Sequence, residues 1–440
     1  MAEQHRGGAD ATLPHWSAPD GAPATIVEGS GARVYDDEGT EYLDFIAQLY
    51  CVNAGHTNRP IVDAMAAQLE RVQYVSSAKH NDARSELAAR LVDVAPDSLA
   101  DVYFAVSGSE ANEAAIQLAR EYTGATKVLT RWRSYHGGTY GAAGLTGDPS
   151  TRATVERYAA TTGTGKFLPP LSYRSPFDAD SPEELARLAA EHLEFVVRNE
   201  GPDSIAAILM EPIGGTSGAY TAPPGYFQRV RELCEEYDIL LIADEVITGF
   251  GRCGDWFGIQ TEDVEPDMIT FAKGVTSAYA PLAGVLARED IAAHFREAGI
   301  PVGQTFAGHP VACAAGVAAM DVYADGLIEN VRELAPYFES RLRELGDAHD
   351  VVGDVRGRGF LWALEFTDPE TGEPFVDPWA EDASENPVAG VREAAADAGV
   401  LIGSGRPDVQ IILSPPFCVD ESDIDEAVDA LDAAIGAVFD

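Results

Sequence analysis

Two polar residues at the ends of apolar runs are the best placed in this chain to do covalent chemistry. Asp244 closes Leu240-Leu241-Ile242-Ala243-Asp244, and Lys273 follows Ile269-Thr270-Phe271-Ala272 and precedes Gly274. Both runs read as buried strands, and in open α/β sheets ligands bind outside the carboxyl ends of the strands. Taken alone, Asp244 is better explained as a solvated strand exit or a helix cap, and a lysine in such a place is more often a snorkelling surface residue. Composition changes the weight given to the lysine. The chain holds four lysines (Lys79, Lys127, Lys166 and Lys273) among 30 basic residues, and arginine supplies the rest. A lysine kept between an apolar strand and a glycine then has a chemical reason to be there. Lysine forms Schiff bases with carbonyls, and arginine does not replace it. The other three are poorer candidates: Lys127 starts a strand, Lys166 lies in a Gly/Thr loop, and Lys79 follows a Ser-Ser-Ala stretch.

Two further clusters add an anion cradle and a flat surface. Ser107-Gly108-Ser109-Glu110-Ala111-Asn112 sits at a strand-to-helix junction. Small residues there let backbone N–H groups approach an anion, and the helix N-terminus adds about half a positive charge. The same residues make a plain capping box, Ser107 with Glu110 three positions on; the two readings are compatible. Tyr135-His136-Gly137-Gly138 follows the next strand. An aromatic ring at a strand end stacks on a flat heterocycle, or simply packs.

A phosphate cradle, a stacking ring, a carboxylate and an amine describe one site. In this arrangement the chain resembles the class III aminotransferases that depend on pyridoxal 5'-phosphate (PLP), the ω-aminotransferase group. The matching motifs are SGSEAN (107–112), YHG (135–137), MEP (210–212), DEVITGFGR (244–252), FAKG (271–274) and QTFAGHPVACAA (304–315), in the family's order. They span most of the chain from about residue 33 to 417. DEVITGFGR with a lysine 29 positions after its aspartate is the specific signal; YHG and MEP alone are not.

The resemblance implies the roles. Lys273 holds the cofactor covalently, and Asp244 keeps the pyridine nitrogen protonated. Tyr135 covers one ring face and Val246 the other, with His136 and Glu211 beside the cofactor. Gly108 and Ser109 bind the phosphate. Thr305, brought from a second subunit, completes that phosphate site, so a homodimer or a dimer of dimers is expected. The implied fold is PLP-dependent transferase fold type I: α/β, with a large domain on a mainly parallel seven-stranded sheet and a smaller α+β domain. The implied reaction moves an amino group from an amine or ω-amino acid to a keto acid such as pyruvate. A PLP-dependent decarboxylase or aminomutase of the same fold shares these motifs. A non-catalytic protein of this fold is disfavoured by the retention of both Asp244 and Lys273.

On the substrate side, Tyr50 in Gln48-Leu49-Tyr50-Cys51-Val52-Asn53 matches the position of an aromatic wall, and Trp16 closes the pocket or anchors a loose tail. Arg406, in Gly403-Ser404-Gly405-Arg406-Pro407, is the candidate carboxylate clamp, with an exposed arginine as the alternative. A long side chain on a flexible stretch swings toward a carboxylate and away from an apolar group, and Glu211 is its expected parking partner.

The elements that must position these groups alternate as in an α/β protein. Strands are expected at Asp101–Val106, Lys127–Trp132, Ile205–Met210, Ile239–Ala243, Met268–Ala272 and Leu282–Ala287, and helices at Glu110–Tyr122, Glu183–Glu200, Tyr226–Tyr237 and His309–Tyr323, the last closed near Gly326. Beyond it the pattern changes: a helix at Glu329–Leu345, a glycine-punctuated strand region at Val351–Phe366, a strand at Val409–Leu413 and a closing helix at Glu421–Val438. We divide the chain into an N-terminal segment (1–59) packing with the small domain, a large PLP-binding domain (60–325) and a C-terminal small domain (326–440).

The charge bounds the partners. Acidic residues number 72 against 30 basic, a net charge of −42, spread along the whole chain rather than gathered in a tail. That favours adaptation of the surface to concentrated salt over a strongly basic partner, and disfavours nucleic acid, which needs a basic face. Five scattered cysteines form no metal-type pair and read as reduced thiols in the cytosol. No apolar run reads as a membrane span, and Met1–Pro14 lacks a signal-peptide pattern.

Overall fold

Apolar runs buried on both faces are what a parallel sheet demands, and they build one here. The computed structural model describes residues 15, 24–148, 151–152, 157–159, 161–301, 303–377 and 386–439. Among these, a seven-stranded sheet has the order Leu99–Ala105, Ala283–Arg288, Met268–Phe271, Leu240–Asp244, Ile205–Met210, Lys127–Arg131, Thr164–Phe167. Ala283–Arg288 runs against both neighbours and the other strands run together. Side chains alternate between the faces. Ile208 and Leu241 join Val230, Leu233 and Leu193 in one core, whereas Ala207, Leu209, Leu240 and Ile242 pack with Ala115, Leu118 and Ala119 of the helix Gly108–Thr123 in another.

The parallel register brings the strand ends to one edge. Asp244 stands opposite Thr270 and Ala243 opposite Met210, so Asp244, Glu211 and Lys273 leave the sheet side by side. The helix Gly108–Thr123 starts at the same edge. Ser107 caps it by accepting from the Glu110 N–H (3.3 Å), Glu110 accepts in return from the Val106 N–H (3.0 Å), and Gly124 ends it in the left-handed conformation (φ 74°).

Two smaller sheets involve the chain's ends. Val400–Leu401 adds in parallel to Glu41–Asp44, whose other neighbour is Arg33–Asp36, with Ile26–Ser30 beyond it at the edge. Val352–Arg358, Leu361–Phe366, Gln410–Leu413 and Gly403–Ser404 form an antiparallel sheet.

Two expectations change. Lys166 is not a loop residue: it lies in the edge strand Thr164–Phe167, and its amine donates to the Thr130 hydroxyl and to the Gly144 and Leu145 carbonyls. The helix expected to close near Gly326 does so: Pro310–Val322 runs into a wide turn at Tyr323–Leu327, where Asp325 (ψ 33°) and Gly326 (φ 116°) leave helical geometry, and Ile328–Ala348 follows directly as a second helix. By length and composition Pro310–Ala348 is also apolar enough to cross a bilayer; 56% of the relevant window is buried, and Ala312, Cys313, Ala315, Ala319 and Met320 belong to the main core, the setting of internal helices.

Candidate active site

Gly108 and Ser109 occupy the first turn of a capped helix, where unsatisfied N–H groups and the helix dipole favour an anion. The space around them is held open by glycine. A Cβ on Gly108 would come within 3.0 Å of the Val246 side chain, and one on Gly137 (φ 130°) within 2.4 Å of Ser109 Oγ. Ser109 Oγ accepts from the Gly138 N–H (3.2 Å), tying the glycine turn to the helix start.

Asp244 is 3% exposed and fixed from three sides. The Val246 N–H donates to Oδ1 (3.0 Å); Asn112 Nδ2 (2.9 Å) and His136 Nδ1 (2.7 Å) meet Oδ2. Asn112 is itself oriented, donating to the His136 carbonyl (2.8 Å) and accepting from the Thr270 hydroxyl (2.8 Å). A buried carboxylate held this way stays where a cationic ring nitrogen would need it.

Lys273 starts a single tight turn, Lys273–Thr276, with φ 45°, a left-handed value rare for a side chain of this size. Burial pushes its amine down to about 8, against the opposite pull of Cys51, Asp244 and Glu211. Near neutrality part of the amine is therefore unprotonated, the form that attacks a carbonyl. The amine lies 5.2 Å from the centre of the Tyr50 ring, which is 5% exposed. Glu211 is buried as well, and burial raises its carboxyl. Its nearest cation is Arg131, 3.6 Å away, which also donates to the Glu211 carbonyl (2.6 Å).

Of the residues singled out from sequence, Gly108, Ser109, Tyr135, His136, Glu211, Asp244, Val246 and Lys273 line one cavity. Thr305 is exposed and outside it, with its carbonyl accepting from the Tyr74 hydroxyl (3.0 Å). Trp16 lies outside the described residues. Arg406 stands beyond Tyr135, its guanidinium carbon 5.4 Å from that ring's centre. Its partner is not Glu211 but Asp148, 3.1 Å from Nη1. Glu211 faces Arg131 instead, across a contact no local spacing foretold.

Sequence reasoning assigned no role to Asn112 or Asp148. Asn112 was within reach of it: four positions after Gly108 on a helix, it shares that residue's face and so faces the same strand ends. Asp148 carried no such signal, lying 258 positions from Arg406.

The donor set fits PLP: an N–H cradle for a phosphate, a fixed carboxylate for a pyridine nitrogen, and a partly neutral amine for an aldehyde. Comparison with known proteins agrees. The model of the family "Aminotransferase class-III" matches residues 16–435. The chain is similar to the putrescine–pyruvate aminotransferase of Pseudomonas aeruginosa, 35% identical over 92% of this chain and 88% of that protein. It is also similar in structure to a pyridoxamine phosphate-bound aminotransferase from Vibrio fluvialis (TM-score 0.91, 31% identity, 98% of this chain and 97% of that one). A third similarity is to a taurine:2-oxoglutarate aminotransferase from Bifidobacterium kashiwanohense in complex with PLP and glutamate (TM-score 0.92, 34% identity, 98% and 96%). The chain therefore belongs to the class-III aminotransferases, enzymes that use pyridoxal phosphate.

Proposed function

We propose that this chain is an ω-transaminase that moves an amino group from an amine or ω-amino acid to a keto acid such as pyruvate. The observation that carries the reading is the cavity lined by Lys273, Asp244 and Tyr135, with the Tyr50 ring centre 5.2 Å from the Lys273 amine and the Arg406 guanidinium carbon 5.4 Å from the Tyr135 ring centre. Bound pyridoxal phosphate supplies the carbonyl that accepts the amino group and the ring that draws charge from the reacting carbon. The chain supplies the rest. Lys273 would hold the cofactor, and its amine, when free, is the base placed to move a proton at the reacting carbon. Asp244, steadied by His136 and Asn112, holds the proton on the ring nitrogen. Tyr135 and Val246 enclose the ring, and Gly108 and Ser109 take the phosphate. Arg406 meets the keto acid's carboxylate, and Tyr50 walls the side chain.

Thr305 is exposed in the single chain. That supports its reaching the phosphate site of a second copy, so the working unit is a dimer. Thr305→Ala should weaken cofactor retention, and a fully active monomer by light scattering would overturn the dimer. The relative from Pseudomonas aeruginosa, a putrescine–pyruvate aminotransferase, supports pyruvate as acceptor. A panel of amines, diamines and ω-amino acids against pyruvate and 2-oxoglutarate tests the reading, with the new amino acid quantified by chromatography. Formation of alanine is expected. Carbon dioxide release without amino transfer, or no product with any pair, would sink it.

A further inference from the structure

Arg406 is held at both its backbone and its head group. Gly403 and Ser404 pair with Ile412 and Ile411 in the antiparallel sheet, the Gly405 N–H donates to the Gln410 carbonyl (2.9 Å), and the Arg406 N–H donates to the Thr216 carbonyl (2.7 Å). The stretch expected to be flexible is a sheet edge. At the head group, Nη1 donates to Asp148 Oδ2 (3.1 Å) and to Thr151 Oγ1 (3.0 Å), and the Thr151 hydroxyl donates to Asp148. Asp148 is 1% exposed.

We propose that Asp148 pins Arg406, so that this chain reads substrate carboxylates with a fixed arginine and discriminates against amines that carry none. The inference rests on Arg406 being the carboxylate clamp. Three considerations lead to it. Withdrawing the arginine breaks a charge-assisted hydrogen bond of 3.1 Å to a carboxylate that is itself buried, and with it the second bond from the same nitrogen to Thr151. The guanidinium is a rigid fork of five donors. The contacts to Asp148 and Thr151 use Nη1 alone, and among the described residues none accepts a hydrogen bond from Nε or Nη2. That edge can take a carboxylate side-on without the arginine leaving Asp148. The head group is also in the right place: its guanidinium carbon lies 5.4 Å from the centre of the Tyr135 ring, which lines the cavity that holds the Lys273 amine. A donor with an alkyl or aryl group at that end must lie against a charge that cannot withdraw, which desolvates the cation without pairing it.

The test compares two donors with pyruvate as the common acceptor: β-alanine, which has a carboxylate, and 1-phenylethylamine, which has none. In Asp148→Asn the ratio of their kcat/KM values should fall by about tenfold or more, through a gain on 1-phenylethylamine, while the KM for pyruvate stays within a few-fold of the parent. Thr151→Val, a smaller change, should move the ratio the same way and decides the matter if Asp148→Asn loses its cofactor absorbance. Arg406→Ala should raise the KM for pyruvate strongly. If it does not, the clamp reading fails. If it does, but neither Asp148→Asn nor Thr151→Val alters the donor ratio, the clamp stands and the pinning is wrong.

Discussion

At the scale of single residues, Lys273 and Asp244 carry the most pointed expectations. Lys273→Ala should abolish transamination and the borohydride-reducible link to the cofactor, since this lysine alone of the four lies in the cavity. Mass mapping of a reduced adduct to Lys79, Lys127 or Lys166 would refute it. Lys166 is the informative control: burial pushes its amine well down, yet the amine is committed to three oxygens of the sheet and its flanking turn. Asp244→Asn should leave the fold intact by circular dichroism but slow turnover by roughly a hundredfold or more. A neutral amide does not hold a ring nitrogen protonated, and its NH2 must face either the Val246 N–H or the donors Asn112 and His136. Near-normal turnover with cofactor bound would show that the assignment is wrong. Both residues were legible from sequence because each ends an apolar run and lysine is scarce. The groups that hold them were not: Asn112 lies 132 positions from Asp244 and His136 lies 108, and only the sheet's closure brings them within 3 Å.

At the scale of elements, the turn after Asp244 depends on a second carboxylate. Glu245 is fully buried; it accepts from the Thr248 hydroxyl and from the N–H groups of Gly258 (2.8 Å) and Ile259 (2.7 Å), fastening the turn that carries Val246 to the short helix Gly258–Glu262. Burial pushes its carboxyl up to about 7, against those hydrogen bonds. A carboxyl that titrates higher folded than unfolded binds more protons in the native state between the two values. Its contribution to stability is therefore full below about 4.5, falls as pH rises toward about 7, and is flat above. Glu245→Gln should remove that slope. The stability of the parent relative to the variant should drop by up to about 3 kcal/mol across this window, read from denaturant unfolding at fixed salt. A difference that does not change with pH would show that Glu245 does not titrate there. The elements themselves were read where the period was strong: Ile205–Met210 stands as expected, and Glu183–Glu200 gains one residue as Pro182–Glu200. Thr164–Phe167 was missed because Thr-Gly-Lys-Phe has no strand pattern of its own. Its pairing with Lys127–Arg131 makes it a strand.

At the scale of the whole molecule, the excess of 42 negative charges sets the conditions under which any of this chemistry runs. The arginines do not offset it singly; several serve two or three carboxylates at once. Arg33 meets Glu41, Asp423 and Glu426, and Arg341 meets Glu344, Asp425 and Asp429. Salt acts on this surface in two opposed ways. It weakens such exposed pairs, each worth about 0–1 kcal/mol. It also screens repulsion among the remaining carboxylates, a term that grows with every excess charge and opposes the compact state. With 72 acidic residues against 30 basic, the second effect should dominate. Unfolding midpoints should therefore rise as KCl goes from about 0.1 M to about 1 M, where the screening length shrinks from about 10 Å to about 3 Å. Because screening depends on ionic strength, NaCl at the same concentration should act alike up to that point. A rise with one cation alone would indicate specific binding rather than screening. A flat or falling trend in both salts would remove the reading of a surface adapted to concentrated salt, and would return the charge to its rival explanation, a strongly basic partner.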